Sequence, residues 1–180
     1  MRAYTSPSTG KPGICARKAP STGCSLMAAS TLNSLWRCPK CGHRFVTRGL
    51  WHSCGRFRLA DHFKGKSRNV RRTFDQYVAL ARRCGPVTVY AQKTRIVIQA
   101  RVRFAGAVVR VDWLDASMWL KRKIRHPRLY RTESFGKLGY GHHFRLNAPH
   151  DIDRSLAKLM KEAYVVGQGA RSKGPQIHNY

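Results

Sequence analysis

Four soft donor residues, Cys38, Cys41, His52 and Cys54, crowd into the stretch from Trp36 to Gly55. That stretch runs Trp-Arg-Cys-Pro-Lys-Cys-Gly-His-Arg-Phe-Val-Thr-Arg-Gly-Leu-Trp-His-Ser-Cys-Gly, too short and too polar to fold on its own apolar contacts. Two cysteines separated by Pro39-Lys40 and followed by Gly42 have the form of a zinc-knuckle turn, whose bend aims both sulfurs at one ion and lets backbone N–H groups face them. His52 and Cys54 lie two apart, so on an extended segment both side chains leave the same face. The expected site is therefore a Zn2+ held by Cys38, Cys41, His52 and Cys54. Four protein ligands leave no open position, which makes the ion structural and not catalytic.

Two points stay open. His43 competes for the third ligand position, or supports the site from outside the coordination sphere. Cys38 and Cys41 can also be ordinary reduced thiols or a redox pair. A redox Cys-x-x-Cys should open a helix in a thioredoxin-like unit, and Gly42 with the β-branched residues after it argue against that. Between Cys41 and His52, Phe45-Val46 and Leu50-Trp51 flank Thr47-Arg48-Gly49, which predicts a short hairpin with a glycine turn.

Charge sets the partner class. Thirty-five Lys and Arg face eight Asp and Glu over 180 residues, a net charge of +27, with a pI near 11.1. Pairing every carboxylate still leaves 27 cations over, so polyanions, nucleic acid first, are the expected partners. Arginines outnumber lysines 23 to 12, which suits bidentate phosphate contacts and stacking on bases. Arginine-biased coding explains many arginines, but not so few acids.

Cysteines 15, 24, 38, 41, 54 and 84 do not form a secreted disulfide framework, since at least three sit in the knuckle and no apolar leader precedes them. No run approaches the ~18 apolar residues of a membrane span. The expectation is a cytoplasmic protein in a reducing compartment, with no membrane partner.

Along the chain, residues 1–34 are rich in Ser, Thr, Gly and Pro and predict a disordered tail. Met27, just ahead of the knuckle, is a candidate true initiator. Residues 35–60 form the knuckle module. From about Ser67, Val70, Phe74, Tyr77, Val78 and Ala81 share a helical face, and Gly85-Pro86 ends the helix. Period two then takes over: Val87–Tyr90 is one strand and Arg95–Phe104 a longer one, its basic side carrying Arg95, Arg101 and Arg103. Gly106 is expected to turn the chain, Val108–Trp113 to return, and Ser117–Lys121 to add a strand. A loop follows His126-Pro127, Tyr140–Leu146 is the last strand, and Asp151 caps a helix with Ile152, Leu156, Leu159, Met160 and Ala163 buried. Residues 168–180 read as a flexible tail. The sum is an α+β fold: zinc hairpin, helix, an antiparallel sheet of about four to five strands and a C-terminal helix over 61–167.

The run Leu35-Trp-Arg-Cys-Pro-Lys-Cys-Gly-His-Arg-Phe-Val-Thr-Arg, then Leu-Trp-His-Ser-Cys-Gly, Gly85-Pro-Val-Thr-Val-Tyr and Gln92-Lys-Thr-Arg-Ile resembles an uncharacterised family of bacterial proteins. Its members carry a short CPxCG cysteine motif ahead of a domain of unknown function, DUF5655. Tyr140-Gly-His-His-Phe-Arg-Leu with Asp151-Ile-Asp and Ala163-Tyr164 is similar to the close of that domain, and the resemblance spans roughly Leu35 to Val166. It implies the architecture and no activity.

The favoured function is a non-catalytic nucleic-acid-binding module. Arg37, Lys40, Arg44, Arg48 and Arg56 lie among Trp36, Phe45 and Trp51, the mix of phosphate contacts and stacking planes used on single strands. Arg95, Arg101 and Arg103 with Lys121, Arg122 and Lys123 would extend the track. Two alternatives remain: a hydrolytic or nuclease-like enzyme built from His142, His143, His126, Asp112, Asp115 and Glu133, and an adaptor that meets an acidic protein. The acids show no nuclease spacing.

Overall fold

The computed structural model describes residues 35–45, 48–49, 52 and 54–169. The expected tail at 1–34, the part of the expected 168–180 tail beyond Gly169, Met27 and Trp51 lie outside the described residues. The fold is α+β. The described residues form a two-stranded hairpin near the N-terminus, a six-stranded antiparallel sheet and two α-helices.

Helix α1 spans Arg68–Cys84. Ser67 caps it by accepting the Val70 N–H at 3.2 Å, which satisfies one of the four N–H groups a helix start leaves unpaired. Val70, Phe74, Tyr77, Val78 and Ala81 are buried as their spacing predicts, joined by Thr73 and Leu80. Helix α2 spans Arg154–Gly167 and buries Leu156, Met160, Ala163, Tyr164 and Gly167. Its cap is Asp153, whose carboxylate accepts the Leu156 N–H at 2.8 Å. Asp151 instead ends a short 3-10 turn, Pro149–Asp151. There it accepts the N–H groups of Asn147 and Ala148 at 2.7 and 3.1 Å and pairs with Arg128 at 2.8 Å.

The hairpin strands are β1, Trp36–Arg37, and β2, Arg44–Phe45. The sheet comprises β3 Thr88–Ala91, β4 Ile96–Gln99, β5 Arg103–Val109, β6 Leu114–Leu120, β7 Leu129–Ser134 and β8 Tyr140–Leu146, in the order β3-β4-β5-β6-β8-β7. Strand β8 falls where its alternation predicts, and β7 forms in the stretch that the sequence suggests is a loop.

The long strand expected over Arg95–Phe104 is two strands. All four residues of β4 are buried, and the chain bends at Ala100–Val102, where Ala100 N–H bonds Val102 O and Val102 N–H bonds Gly167 O. Arg101 therefore sits in a bend and not beside Arg95 and Arg103 on one strand face. Gly106 does not turn the chain. It lies inside β5, paired with Val97 and Ser117. A Cβ there would stand 2.7 Å from the Ile96 carbonyl oxygen, so the close approach of two backbones and not a bend requires glycine. The turn comes at Arg110–Trp113, closed by Arg110 N–H to Trp113 O at 3.0 Å.

Alternation decides what each side of the sheet meets. Ile96 and Ile98, Leu114, Ala116, Met118 and Leu120, and Phe144 and Leu146 belong to one core with both helices, each large side chain contributing about 1.5–3 kcal/mol by burial. The other face carries Val97, Gln99, Gly106, Asp115, Ser117, Trp119, Gly141, His143 and Arg145, by register. Of the two helices, the C-terminal end of α2 reaches its cavity, through Val166. No described helix is long and apolar enough to cross a membrane.

Candidate metal centre and the open face of the sheet

Local hydrogen bonding builds the knuckle. Cys38 N–H donates to His43 O at 2.9 Å and Gly42 N–H to Cys38 O at 2.8 Å, folding Cys38–His43 into a loop between the paired residues Arg37 and Arg44. Gly42 takes φ 76°, a left-handed conformation that favours glycine. Arg48 and Gly49 form a turn. The rest of the hairpin expected there, at residues 46, 47, 50 and 51, lies outside the described residues.

The turn brings the four donors together. Cys38 Sγ lies 3.7 Å from Cys54 Sγ, Cys41 Sγ lies 3.2 Å from His52 Nε2, and all four ligand atoms are within 4.8 Å of one another. A tetrahedral ion with metal–sulfur bonds of about 2.3 Å separates its sulfurs by about 3.8 Å, so Cys38, Cys41, His52 and Cys54 can hold one metal ion.

The thiols are already polarised for it. The N–H of Cys41, with that of Lys40 and the neighbouring sulfurs, outweighs desolvation and lowers the Cys38 thiol to about 6. Desolvation and the company of Cys38 and Cys41 push Cys54 up to about 11. The two shifts run in opposite directions, and a cation among the sulfurs would favour thiolate ligands.

His43 is not a member of this set. Its ring stacks on Tyr90, centroids 4.0 Å apart. Burial first, then His52 and Arg103, makes it harder to protonate. Phe45 lies 4.3 Å from the His52 ring and 6.0 Å from Trp36.

The knuckle rests on the open face at β3, β4 and β5. Gln99 Nε2 donates to Arg44 O at 2.9 Å, and the Arg103 guanidinium stands 5.2 Å from the Phe45 ring centre. This covers Gln99, and both Gln99 and Val97, which lines the neighbouring cavity, are buried. Beyond the knuckle the same face opens into a cavity of about 530 Å3 lined by Arg95, Arg103, Ser117, Trp119, Lys121, Glu133, Phe135 and His143 among others.

The structure thus sorts the expected nucleic-acid contacts. Arg37, Lys40, Arg44 and Arg48 are exposed on the knuckle. Arg95, Arg103 and Lys121 line the cavity. Arg122 is committed to Glu162 on α2 through two bonds of 2.9 and 3.0 Å, and Lys123 lies 5.7 Å from the Tyr140 ring. Arg101 is half-buried. Missing from the expected set are Arg110 and Arg145, whose guanidinium groups lie 5.8 and 4.8 Å from the Trp113 ring. The alternation of β8 was the available signal, since it sets Arg145 on the same side as His143.

The catalytic candidates separate in the same way. His142 points into the core and is fully buried, His126 bonds Ser155 Oγ at 2.7 Å, and Asp112 is exposed in the β5–β6 turn. Of these candidates three come together. His143 Nδ1 lies 3.1 Å from Asp115 Oδ1, and His143 Nε2 lies 3.8 Å from Glu133 Oε2. Burial opposes ionisation of Asp115, but His143, Tyr130 and Arg110 prevail and hold it below the usual carboxylate range.

The family profile described as "Domain of unknown function (DUF5655)" matches residues 59–167, well over half of the chain. The chain belongs to the DUF5655 family. Comparisons with curated proteins and with solved structures give no match. The DUF5655 segment runs from the short 3-10 helix Leu59–Phe63 to the last residue of α2. It contains the sheet, both α-helices and the cavity lining apart from Gly169, and the Cys/His knuckle precedes it.

Proposed function

We propose that this is a zinc-dependent, non-catalytic nucleic-acid-binding protein of the bacterial cytoplasm, and that a single strand lies along the open face of its sheet. Three sulfurs and an imidazole favour zinc over hard cations, and a closed ligand set gives the ion a structural part. Thiolate ligation suits a reducing compartment.

One observation carries the strand: cations and aromatic rings are interleaved on the open face of the sheet. Arg110 and Arg145 flank Trp113, Arg103 lies over Phe45, and Lys121 neighbours Trp119. Among the described residues, Arg95, Arg103, Arg145 and Lys121 enter no ion pair, which leaves them for phosphates. Aromatic rings supply stacking planes of about 1–3 kcal/mol per base.

The test is fluorescence anisotropy of a labelled single-stranded oligonucleotide against salt. Log affinity is expected to fall linearly with log salt, by about 0.7 per phosphate neutralised. Arg110→Gln with Arg145→Gln should weaken binding and flatten the slope. A response indifferent to salt and to both substitutions overturns the proposal. Retention of an acidic protein after nuclease treatment, with no oligonucleotide binding, would establish an adaptor in its place.

A further inference from the structure

The cavity on the open face has the size of a small-ligand site, and strand register shapes its floor. Gly106, Ser117 and His143 stand side by side on β5, β6 and β8, and Trp119 pairs with Gly141 one step along. Two glycines beside these side chains keep the floor low.

Trp119 is fixed as a wall. Its Nε1 donates to Leu138 O at 3.1 Å, and its ring lies against Phe135 with centroids 4.5 Å apart. The indole has no other donor, so what it offers a ligand is a flat apolar surface. Lys121 Nζ donates to the same carbonyl at 3.0 Å, which holds the ammonium beside the indole.

The polar groups are equally set. Asp115, with a side chain 6% exposed, accepts from His143 Nδ1, and His143 Nε2 lies 3.8 Å from Glu133 Oε2, beyond hydrogen-bond length. Among the described residues, Arg95, Arg103 and Lys121 line the cavity without a carboxylate partner, whereas the one carboxylate lining it, Glu133, pairs with Arg131. The balance of charge calls for an anion, and the wall calls for a planar body.

We propose that this cavity binds one nucleoside monophosphate unit, its base against Trp119 and its phosphate among Arg103, Lys121 and Arg95. This rests on the nucleic-acid reading above, with the cavity holding one nucleotide of the strand. His143 Nε2 and Ser117 supply hydrogen-bonding groups to the sugar or the base edge.

The test titrates the zinc-loaded full chain with adenosine and uridine 5′-monophosphates, the two nucleosides, ribose 5-phosphate and inorganic phosphate, followed by calorimetry. The monophosphates should bind at least tenfold more tightly than any fragment. Lys121→Glu, a change on an exposed chain, and Trp119→Leu, checked for an unchanged melting profile, should each cost at least tenfold. Monophosphates that bind no better than inorganic phosphate overturn the proposal, as does affinity unmoved by Lys121→Glu. Oligonucleotide binding that depends on Arg110 and Arg145, without mononucleotide binding, overturns the cavity alone. Mononucleotide binding without oligonucleotide binding supports the cavity and ends the strand proposal.

Discussion

Gln99 donates its side-chain amide to the carbonyl of Arg44 at 2.9 Å, tying the Cys/His knuckle to the end of β4. A second bond from the same Nε2 reaches Arg101 O at 3.1 Å. Gln99 is 5% exposed, so both acceptors meet in a place where water does not easily replace the donor. Gln99→Ala is expected to destabilise the protein by about 1–3 kcal/mol, the cost of leaving buried acceptors unpaired. Urea unfolding monitored by circular dichroism measures it, and a loss under about 0.5 kcal/mol would remove the seam as a source of stability.

Metal removal should act through the same seam. Atomic absorption is expected to find about one zinc per chain, given four ligands at one point. A strong chelator should release it while far-UV circular dichroism persists, because both helices and the six-stranded sheet lie outside the knuckle. The melting temperature should fall by about 2–4 °C for each kcal/mol of stability that the seam no longer supplies. A melting temperature unmoved by chelation would mean that the knuckle does not depend on an ion.

Asp151 gives stability an acid-sensitive component. Burial resists its ionisation, but Arg128 and the N–H groups of Asn147 and Ala148 hold its carboxyl below the usual value of 3.8. A carboxyl with a lower folded than unfolded pKa binds fewer protons when folded. Its contribution is full above about pH 4 and disappears as pH falls through the folded value. Asp151→Ala should cost about 1.5–3 kcal/mol at neutral pH and should flatten the fall in stability below about pH 4. Parallel acid profiles for variant and parent would contradict this.

Gly106→Ala tests the central strands. The added methyl would meet the Ile96 carbonyl at 2.7 Å, backbone that has no free rotation to yield. A loss of about 1–3 kcal/mol is expected, as for other overpacked interiors. Thermal melting of the variant decides it, and an unchanged midpoint would show that β4 and β5 can separate without cost.

The sequence determined the local features, because each depends on residues close together in the chain. The start of α1 near Ser67, the buried stripe from Val70 to Ala81, strand β8 and the Cys38–Cys41 turn all follow from spacing and side-chain chemistry. So does the crowding of soft donors between Cys38 and Cys54, though not the choice of imidazole among them. Tertiary structure decided the rest. Whether Gly106 bends or passes straight through depends on the Ile96 carbonyl across a strand pair, and β4 hides its alternation in part because the knuckle covers Gln99 on the face that would otherwise meet solvent. His43 and His52 are equal as ligands by composition, and only the position of Tyr90 draws His43 away from the sulfurs. His143, Asp115 and Glu133 look scattered along the chain, and it is the register of three strands that brings their side chains to one place on the open face.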